Sequence, residues 1–95
     1  GDIDAQDAEQ FEGAMGLKEY ATPERLLLKD EIQAAIAKAI DELPDDLRTA
    51  IILRELEGLS YEEIAQTMEC PIGTVRSRIF RARDAIDARL KPLLD

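Results

Sequence analysis

The sequence has no histidine, no tryptophan and only one cysteine among its 95 residues. Without histidine and with a single thiol, Ser–His and Cys–His catalysis are excluded, and an ordinary zinc site has too few ligands. Cys70 cannot form an internal disulfide, so a cytoplasmic protein is the simpler expectation. No stretch of about 18 apolar residues and no basic-then-apolar leader is recognisable, so we expect neither a membrane span nor a secretory signal.

Aromatic residues are scarce as well, with two Phe and two Tyr. Any core must therefore be aliphatic, and a hydrophobic content of 45% is enough for one small domain. No cluster of a candidate acid, base and nucleophile stands out. We therefore expect a protein that is not an enzyme and that binds no cofactor, metal or small-molecule substrate.

Charge is distributed unevenly along the chain, whose formal net charge is −9. Residues 1–70 hold 18 acidic and 6 basic side chains, a net of −12, whereas residues 71–95 hold 3 and 6, a net of +3. Residues 71–83 contain four Arg and no acid. Because exposed charges are screened beyond roughly 8–10 Å in physiological salt, such a local basic face can bind phosphate on an acidic protein. A merely solvated basic face is the alternative, and charge alone does not decide between the two.

The first 22 residues differ in character from the rest. Residues 1–12 include five Asp and Glu, and the scattered apolar residues of this segment cannot bury enough surface to offset chain entropy. We expect residues 1–22 to form an acidic flexible linker and residues 23–95 to form the folded domain. Local docking of the linker is the alternative, through Phe11, Met15, Leu17 and Tyr20.

Apolar residues at three- and four-residue spacing predict two helices in the first part of the domain. Thr22 is a good N-cap and Pro23 suits the first helical position, whereas Pro44 ends the first helix. Its predicted apolar stripe consists of Leu28, Ile32, Ala35, Ile36, Ala39, Ile40 and Leu43, widened by Leu26 and Leu27. The second helix starts after Pro44 and should stop with Gly58 at a left-handed C′ position. Its predicted buried residues are Leu47, Ala50, Ile51, Leu53 and Leu56.

Two further helices are predicted in the C-terminal part. Ser60 and Glu63 are spaced as a capping box, which opens a short helix with the apolar residues Ile64, Ala65 and Met68. Pro71 marks the first turn of a last helix, with the preceding cysteine at its N-cap position. This helix should run to about Leu90, before Pro92. Four helices with short connections and no strand signal predict a small all-α domain.

The last two helices, at about 61–68 and 71–90, are joined by only a few residues. This spacing is typical of a helix-turn-helix, in which the first helix braces the second in a DNA groove. Ala65 is small where the two helices must approach, and Val75 anchors the second helix in the core. Glu69 occupies a turn position that often holds Gly because φ tends to be positive, and a non-Gly residue there costs about 1 kcal/mol.

Helical periodicity gives the last helix a buried face and an outer face. The buried face is predicted to consist of Val75, Ile79, Ala82, Ile86 and Leu90. The outer face is predicted to consist of Gly73, Ser77 and Phe80, flanked by Arg76, Arg83 and Arg81, with Arg78 nearer the core edge. An aromatic ring that points away from the core between arginines favours contact with a thymine methyl or a base edge. Packing of Phe80 on another helix or on the chain's own tail is the alternative.

The residues of this helix suit different DNA contacts. Arg can fork onto guanine O6 and N7, and the short Ser77 can bond to whichever base edge is near. Gly73 and Thr74 let backbone amides approach a phosphate at the helix N-terminus. Arg78 is better placed for a phosphate contact or for packing of its aliphatic stem.

Two residues outside the last helix are candidates for phosphate contacts, Arg54 and Tyr61. For Arg54 a salt bridge to an acid such as Glu57 is an equal alternative. Arg48 is expected to form an intramolecular ion pair instead.

Three stretches carry a family resemblance: LPDDLR at residues 43–48, LRELEGLSYEEIA at 53–65 and CPIGTVRSRIFRAR at 70–83. They closely resemble region 4 of extracytoplasmic-function sigma factors, and most closely the sigma-E/AlgU envelope-stress group. The resemblance covers residues 23–94 and implies a sigma region 4 helix-turn-helix fold, related to winged helices but without a wing. It also implies that residues 1–22 belong to the linker between region 2 and region 4.

The resemblance implies sequence-specific binding to the promoter −35 element, an AAC-containing sequence preceded by guanines. The domain would then direct core RNA polymerase to promoters in transcription initiation, as part of an alternative sigma factor. Carried over by position, the residues that face bases are Arg76, Ser77, Phe80 and Arg81. Those that support backbone contacts are Arg54, Pro71, Gly73, Thr74, Arg78 and Arg83.

Protein partners are implied as well. The first helices would hold the flap of the polymerase β subunit, and a membrane-bound anti-sigma factor would cover the same domain. The protein is then expected in the cytoplasm, at the nucleoid or held at the inner membrane by the anti-sigma factor. Region 2, which melts the −10 element, is absent from this sequence, so this chain alone should not initiate transcription.

Two other classes of function are compatible with these motifs. A response-regulator output domain would bind palindromic sites as a dimer, whereas the sigma-like domain is expected to be a monomer. A sigma-like decoy would bind only an anti-sigma factor. Intact Arg76, Phe80 and Arg81 argue against a decoy, because a decoy has no need of a base-reading face.

Overall fold

The computed structural model describes residues 23–94 of the chain. This part forms four helices and no strand: α1 (Pro23–Asp41), α2 (Asp45–Glu55), α3 (Tyr61–Met68) and α4 (Ile72–Leu94). The predicted all-α domain is confirmed. The predicted linker, including Thr22, lies outside the described residues. None of α1 to α4 combines the length and the apolar content that a membrane-crossing helix requires.

The core is aliphatic and is organised around α4, which packs against each of the other three helices. One face of α4 is fully buried, as predicted, through Val75, Ile79, Ala82, Ile86 and Leu90. The buried residues of α2 are Leu47, Ala50 and Ile51, and Leu53 packs partly buried beside them. Because α4 faces the core along its whole length, the opposite side of this helix is left for solvent or a ligand.

The apolar stripe of α1 is narrower than predicted. Its buried residues are Ile32, Ile36, Ala39 and Ile40, continued by Leu43 after the helix. Leu26 and Leu27 are exposed, so the prediction that they widen the stripe is wrong. At about 100° per residue, Leu27 projects nearly opposite the buried residues, whereas Leu26 lies in the first turn of α1, before the first buried residue, Ile32. Gln33, which was not among the residues of the predicted stripe, is buried.

Pro44 separates α1 from α2, as predicted. Its backbone is extended, with φ −53° and ψ 149°, and its carbonyl accepts a hydrogen bond from the Arg48 amide at 2.9 Å. The side chain of Arg48 forms an ion pair with Asp45 at 2.5 Å. The expected intramolecular ion pair of Arg48 is therefore confirmed, and it closes the first turn of α2.

The connection from α2 to α3 contains the predicted left-handed glycine. Gly58 has φ +73°, a backbone conformation in which a Cβ atom is strained. It lies one position beyond C′, because α2 ends at Glu55 and its C-cap is Leu56. The Leu59 amide reaches back to the carbonyl of Leu53 at 3.0 Å, which returns the chain towards α3.

Both ends of α4 differ from the prediction by a few residues. The Pro71 carbonyl accepts hydrogen bonds from Thr74 at 3.0 Å and Val75 at 3.2 Å, so Pro71 occupies the N-cap position that was predicted for Cys70. At the other end α4 continues through Pro92. A proline in the last turn removes a single helical hydrogen bond, and packing of Leu93 against the core offsets that loss.

Candidate nucleic-acid interface

A capping box fixes the start of α3, the bracing helix of the motif. The Glu63 amide donates to the hydroxyl oxygen of Ser60 at 3.1 Å, and the Ser60 amide donates to Glu63 Oε1 at 2.9 Å. The bond from the Ser60 backbone lowers the pKa of the Glu63 carboxyl below its ordinary value, and the Ser60 side chain adds to this effect. The capping box predicted from the sequence is confirmed, and it sets the position of Tyr61, the first residue of α3.

The turn between α3 and α4 depends on a left-handed residue. Glu69 has φ 54° and ψ 52°, as the helix-turn-helix spacing predicted. The Cys70 amide donates to the Ala65 carbonyl at 3.0 Å and the Glu69 amide to the Gln66 carbonyl at 3.3 Å, the paired bonds of a Schellman motif. Buried Ile64 and Val75 then hold α3 and α4 together on the core side.

The outer face of α4 consists of Gly73, Arg76, Ser77, Phe80 and Arg81. The side chain of Phe80 is 72% exposed. Arg76 and Arg81 are exposed on either side of it, and Ser77 is half-buried. Within residues 23–94 Phe80 is not packed on another helix, so that alternative is wrong there. The alternative of packing on the chain's own tail lies outside the described residues. An exposed aromatic ring flanked by two arginines is a surface that can meet a base edge and the surrounding phosphates.

The N-terminus of α4 lies next to this outer face. Because Thr74 and Val75 bond to the Pro71 carbonyl, the first amides of α4 without a helical acceptor are those of Ile72 and Gly73. Gly73 is exposed, and a Cβ atom built there meets nothing within 4 Å. An anion can therefore approach these amides at the positive end of the helix.

Arg78 lies at the edge of the core, as predicted, and its side chain is largely buried. Its Nε is 3.6 Å from Asp46 Oδ2, and one terminal nitrogen is 3.6 Å from the sulfur of Cys70. The same nitrogen is 4.0 Å from the sulfur of Met68. The guanidinium thus ties α4 to the start of α2 and to the turn.

Arg83 and Arg89 are paired with acids from other helices or turns. Arg83 forms a hydrogen-bonded ion pair with Glu55 at the end of α2, and only 8% of that glutamate side chain is exposed. Arg89 pairs with Glu42 at 2.9 Å. The arginines of α4 thus fall into two groups. Arg78, Arg83 and Arg89 are paired with acids, whereas Arg76 and Arg81 have no acidic partner within residues 23–94.

Arg54 and Tyr61 are close together, although they come from different helices. A terminal nitrogen of Arg54 donates to the Leu59 carbonyl at 2.9 Å, and its Cζ atom lies 4.8 Å from the centroid of the Tyr61 ring. The Arg76 Cζ atom lies 6.0 Å from the same centroid. Arg54 makes no salt bridge to Glu57 in the described residues 23–94. The salt bridge that was the alternative to a phosphate contact for Arg54 is therefore not formed with this acid.

Two acids that hold the basic face in place were not assigned this role from the sequence. Glu55 and Asp46 neutralise Arg83 and Arg78, respectively. The burial of Glu55 could have been predicted from the sequence, because Glu55 follows Leu47 and Ile51 at steps of four and therefore lies on the same helical face. A carboxylate at such a position needs a partner. Asp46 carried no comparable signal, because its partner depends on how α2 crosses α4.

These features define a class of protein. A bracing helix, a tight turn and a second helix that presents an exposed basic and aromatic face form a helix-turn-helix of the DNA-binding kind.

Comparison with known proteins identifies the family within that class. The family described as "Sigma-70, region 4" matches residues 33–86. The chain is 62% identical over 93 residues to the RNA polymerase sigma-H factor of Pseudomonas aeruginosa, covering 98% of this chain and 48% of that protein. It is 58% identical over 93 residues to the ECF RNA polymerase sigma-E factors of Escherichia coli and Salmonella typhimurium, covering 98% of this chain and 49% of each. The chain belongs to the sigma-70 region 4 family, and it spans about half the length of the curated relatives it matches.

Proposed function

We propose that this domain binds the −35 element of promoter DNA as region 4 of an alternative, envelope-stress type sigma factor. It would thereby direct core RNA polymerase to promoters in transcription initiation. The observation that carries the proposal is the exposure of Phe80, at 72%, between Arg76 and Arg81 on the outer face. Core packing does not explain a ring in this position, whereas contact with a thymine methyl or a base edge does.

The outer face supplies the groups for reading bases. Arg76 and Arg81 can each donate two parallel hydrogen bonds to guanine, and each good pair is worth roughly 1–3 kcal/mol of discrimination. Ser77 offers a short hydroxyl beside them. Guanines preceding an AAC sequence, the element implied by the family resemblance, suit two arginines with an apolar ring between them.

The remaining predicted residues suit contacts to the sugar–phosphate backbone. The amides of Ile72 and Gly73, between Pro71 and Thr74, have no helical acceptor and lie at the positive helix end. Arg54 supplies a further cation, and the Tyr61 ring supports it from 4.8 Å away. Arg78 and Arg83 are already paired with carboxylates, so in the complex they would use remaining N–H donors, of which each guanidinium has five.

A second surface is proposed for protein partners, the polymerase β-flap and an anti-sigma factor. The support is the division of charge, since residues 1–70 carry a net −12 while residues 71–83 hold four Arg and no acid. DNA and protein partners would then use different sides of the domain. Residues 1–22 would be the acidic linker to region 2, and the protein would act in the cytoplasm, at the nucleoid or held at the inner membrane by its anti-sigma factor.

Titration of a short −35 duplex and a scrambled duplex at two salt concentrations tests the proposal. Fluorescence anisotropy should show preference for the −35 duplex, with an affinity that falls steeply as salt rises. Arg81→Ala should lose that preference, whereas Arg83→Ala should weaken both duplexes alike. Lys91→Gln removes an exposed cation about 16 Å beyond Phe80 along the axis of α4, and this matched control should change neither. Equal binding of the wild type to both duplexes would refute base reading, whereas no binding to either duplex would favour a domain that binds only proteins.

A further inference from the structure

The aromatic ring of Tyr61 lies beside two guanidinium groups that come from different helices. The Cζ atom of Arg54, on α2, is 4.8 Å from the ring centroid, and that of Arg76, on α4, is 6.0 Å from it. Both distances fall within the roughly 6 Å range of a cation–π interaction. One ring on the bracing helix therefore connects α2 with the outer face of α4.

The two arginines are restrained to different degrees. Arg54 is half-buried and donates to the Leu59 carbonyl at 2.9 Å, so it has a fixed backbone partner. Arg76 is exposed, and within residues 23–94 the Tyr61 ring is the partner that the structure gives it. An exposed arginine without such a partner samples many rotamers, and binding has to remove that freedom.

We propose that Tyr61 is a positioning residue for Arg76. The chain of contacts runs from the Leu59 carbonyl through Arg54 to the ring, and from the ring to the Arg76 guanidinium. The ring holds this guanidinium at the outer face before DNA binds, so that less conformational entropy is lost in the complex. The inference rests on the proposed reading of DNA by Arg76, and it assigns the role to the ring rather than to the hydroxyl of Tyr61.

Two substitutions separate the ring from the hydroxyl. Tyr61→Phe keeps the ring and removes the hydroxyl, whereas Tyr61→Met fills similar space with an apolar chain and removes the ring. We expect Tyr61→Phe to bind the −35 duplex within about twofold of the wild type, and Tyr61→Met to bind about fivefold more weakly. The loss should be largest for the base pair at which Arg76→Ala itself loses discrimination. Lys91→Gln again controls for a general change in charge.

A double-mutant cycle tests whether Tyr61 acts through Arg76. If it does, adding Tyr61→Met to Arg76→Ala should produce no further loss of affinity. Additive losses would overturn the inference, and so would a Tyr61→Phe variant that binds as weakly as Tyr61→Met. A wild-type domain that does not distinguish the −35 duplex from a scrambled one would refute the proposed function instead, and the two failures are thus distinguishable.

A measurement on the free domain makes the test independent of DNA and of any folding defect. Ring current from Tyr61 should shift the Hδ proton signals of Arg76 upfield in the NMR spectrum of the wild type. The shift should persist in Tyr61→Phe and disappear in Tyr61→Met. Arg76 signals at ordinary positions in the folded wild type would overturn the inference.

Discussion

The guanidinium of Arg81 donates a hydrogen bond to the hydroxyl oxygen of Ser77, 2.9 Å away and one helical turn earlier. Both residues lie on the outer face of α4, and both are proposed to face bases. The bond restrains an exposed arginine and leaves further N–H donors free for guanine O6 and N7. Ser77 therefore sets the direction of Arg81 in the free domain.

Ser77→Ala should reduce base discrimination more than it reduces overall affinity. Without the hydroxyl the Arg81 side chain is less restrained, and we expect about 1 kcal/mol less preference for the −35 duplex over one with a changed guanine. Anisotropy titrations with the two duplexes measure this difference. Ser77→Thr keeps a hydroxyl at the same position and should retain most of the preference. A Ser77→Ala variant with wild-type preference would contradict the role given to this bond.

Phe80→Ala should separate binding from stability. Because the ring is exposed, its removal should change the free energy of unfolding by less than about 0.5 kcal/mol. If the ring is buried against DNA, affinity for the −35 duplex should fall by about 1–2 kcal/mol. Urea unfolding and anisotropy measure the two effects. The neighbouring Ile79→Ala is the matched control on the buried face, where the loss of stability should be about 2–5 kcal/mol.

Much of the fold follows from local signals in the sequence. The buried face of α4 was predictable because helical geometry fixes the direction of each side chain once the period is known. The capping box at Ser60 and the turn at Pro44 were predictable because they depend on residues only a few positions apart. The exposure of Phe80 was predictable from the same helical periodicity, because Phe80 lies nearly opposite the core face of α4.

The candidate site was predictable in its outline but not in its contacts. Spacing placed Arg78 and Arg83 on α4, but it could not show that Asp46 and Glu55 neutralise them. Those pairs depend on how α2 crosses α4, which local periodicity does not determine. The approach of Arg54 to Tyr61 has the same origin, because it requires the return of the chain through the connection that contains Gly58.

Glu69→Gly should stabilise the domain. The backbone at this position is left-handed, with φ 54°, which is unfavourable for a residue with a Cβ atom. Glycine relieves that strain but gains freedom in the unfolded chain, so we expect a net gain of about 0.5–1 kcal/mol. Chemical denaturation of both proteins measures it. Gln66→Gly, inside α3, is the control and should destabilise by about 1 kcal/mol. Destabilisation by Glu69→Gly would show that another contact holds this turn.

Removal of Arg83 should destabilise the domain more than removal of Arg89. Glu55, the partner of Arg83, has a side chain only 8% exposed, so Arg83→Met leaves a largely buried carboxylate without its cation. We expect a loss of about 2 kcal/mol, below the value for a fully buried pair because Arg83 itself is partly exposed. Arg89→Met breaks an exposed pair and should cost less than about 1 kcal/mol. Adding Glu55→Met to Arg83→Met should recover most of the stability, and failure to recover it would exclude the unpaired charge as the cause.

The capping box should make stability depend on pH in the acid range. The pKa of Glu63 is lowered from its ordinary value of 4.5 by hydrogen bonds from Ser60, so the carboxylate is favoured in the folded state. Its contribution to stability is fully present above 4.5 and is lost as the pH falls through the lower pKa of the folded protein.

Ser60→Ala tests this dependence, because it removes the hydroxyl that caps α3. We expect a loss of about 1 kcal/mol at pH 7 and a Glu63 pKa closer to its ordinary value. The difference between variant and wild type should shrink as Glu63 becomes protonated. Carboxyl carbon NMR titrations and urea unfolding at pH 7 and in acid measure the two effects. Glu62→Gln removes a neighbouring first-turn acid and should leave the Glu63 titration where it is in the wild type. The backbone bond from residue 60, the larger cause of the lowered pKa, survives in this variant, so the Glu63 pKa should rise only part of the way. A Glu63 pKa at its ordinary value in the wild type would show that the capping box does not hold this carboxylate in solution.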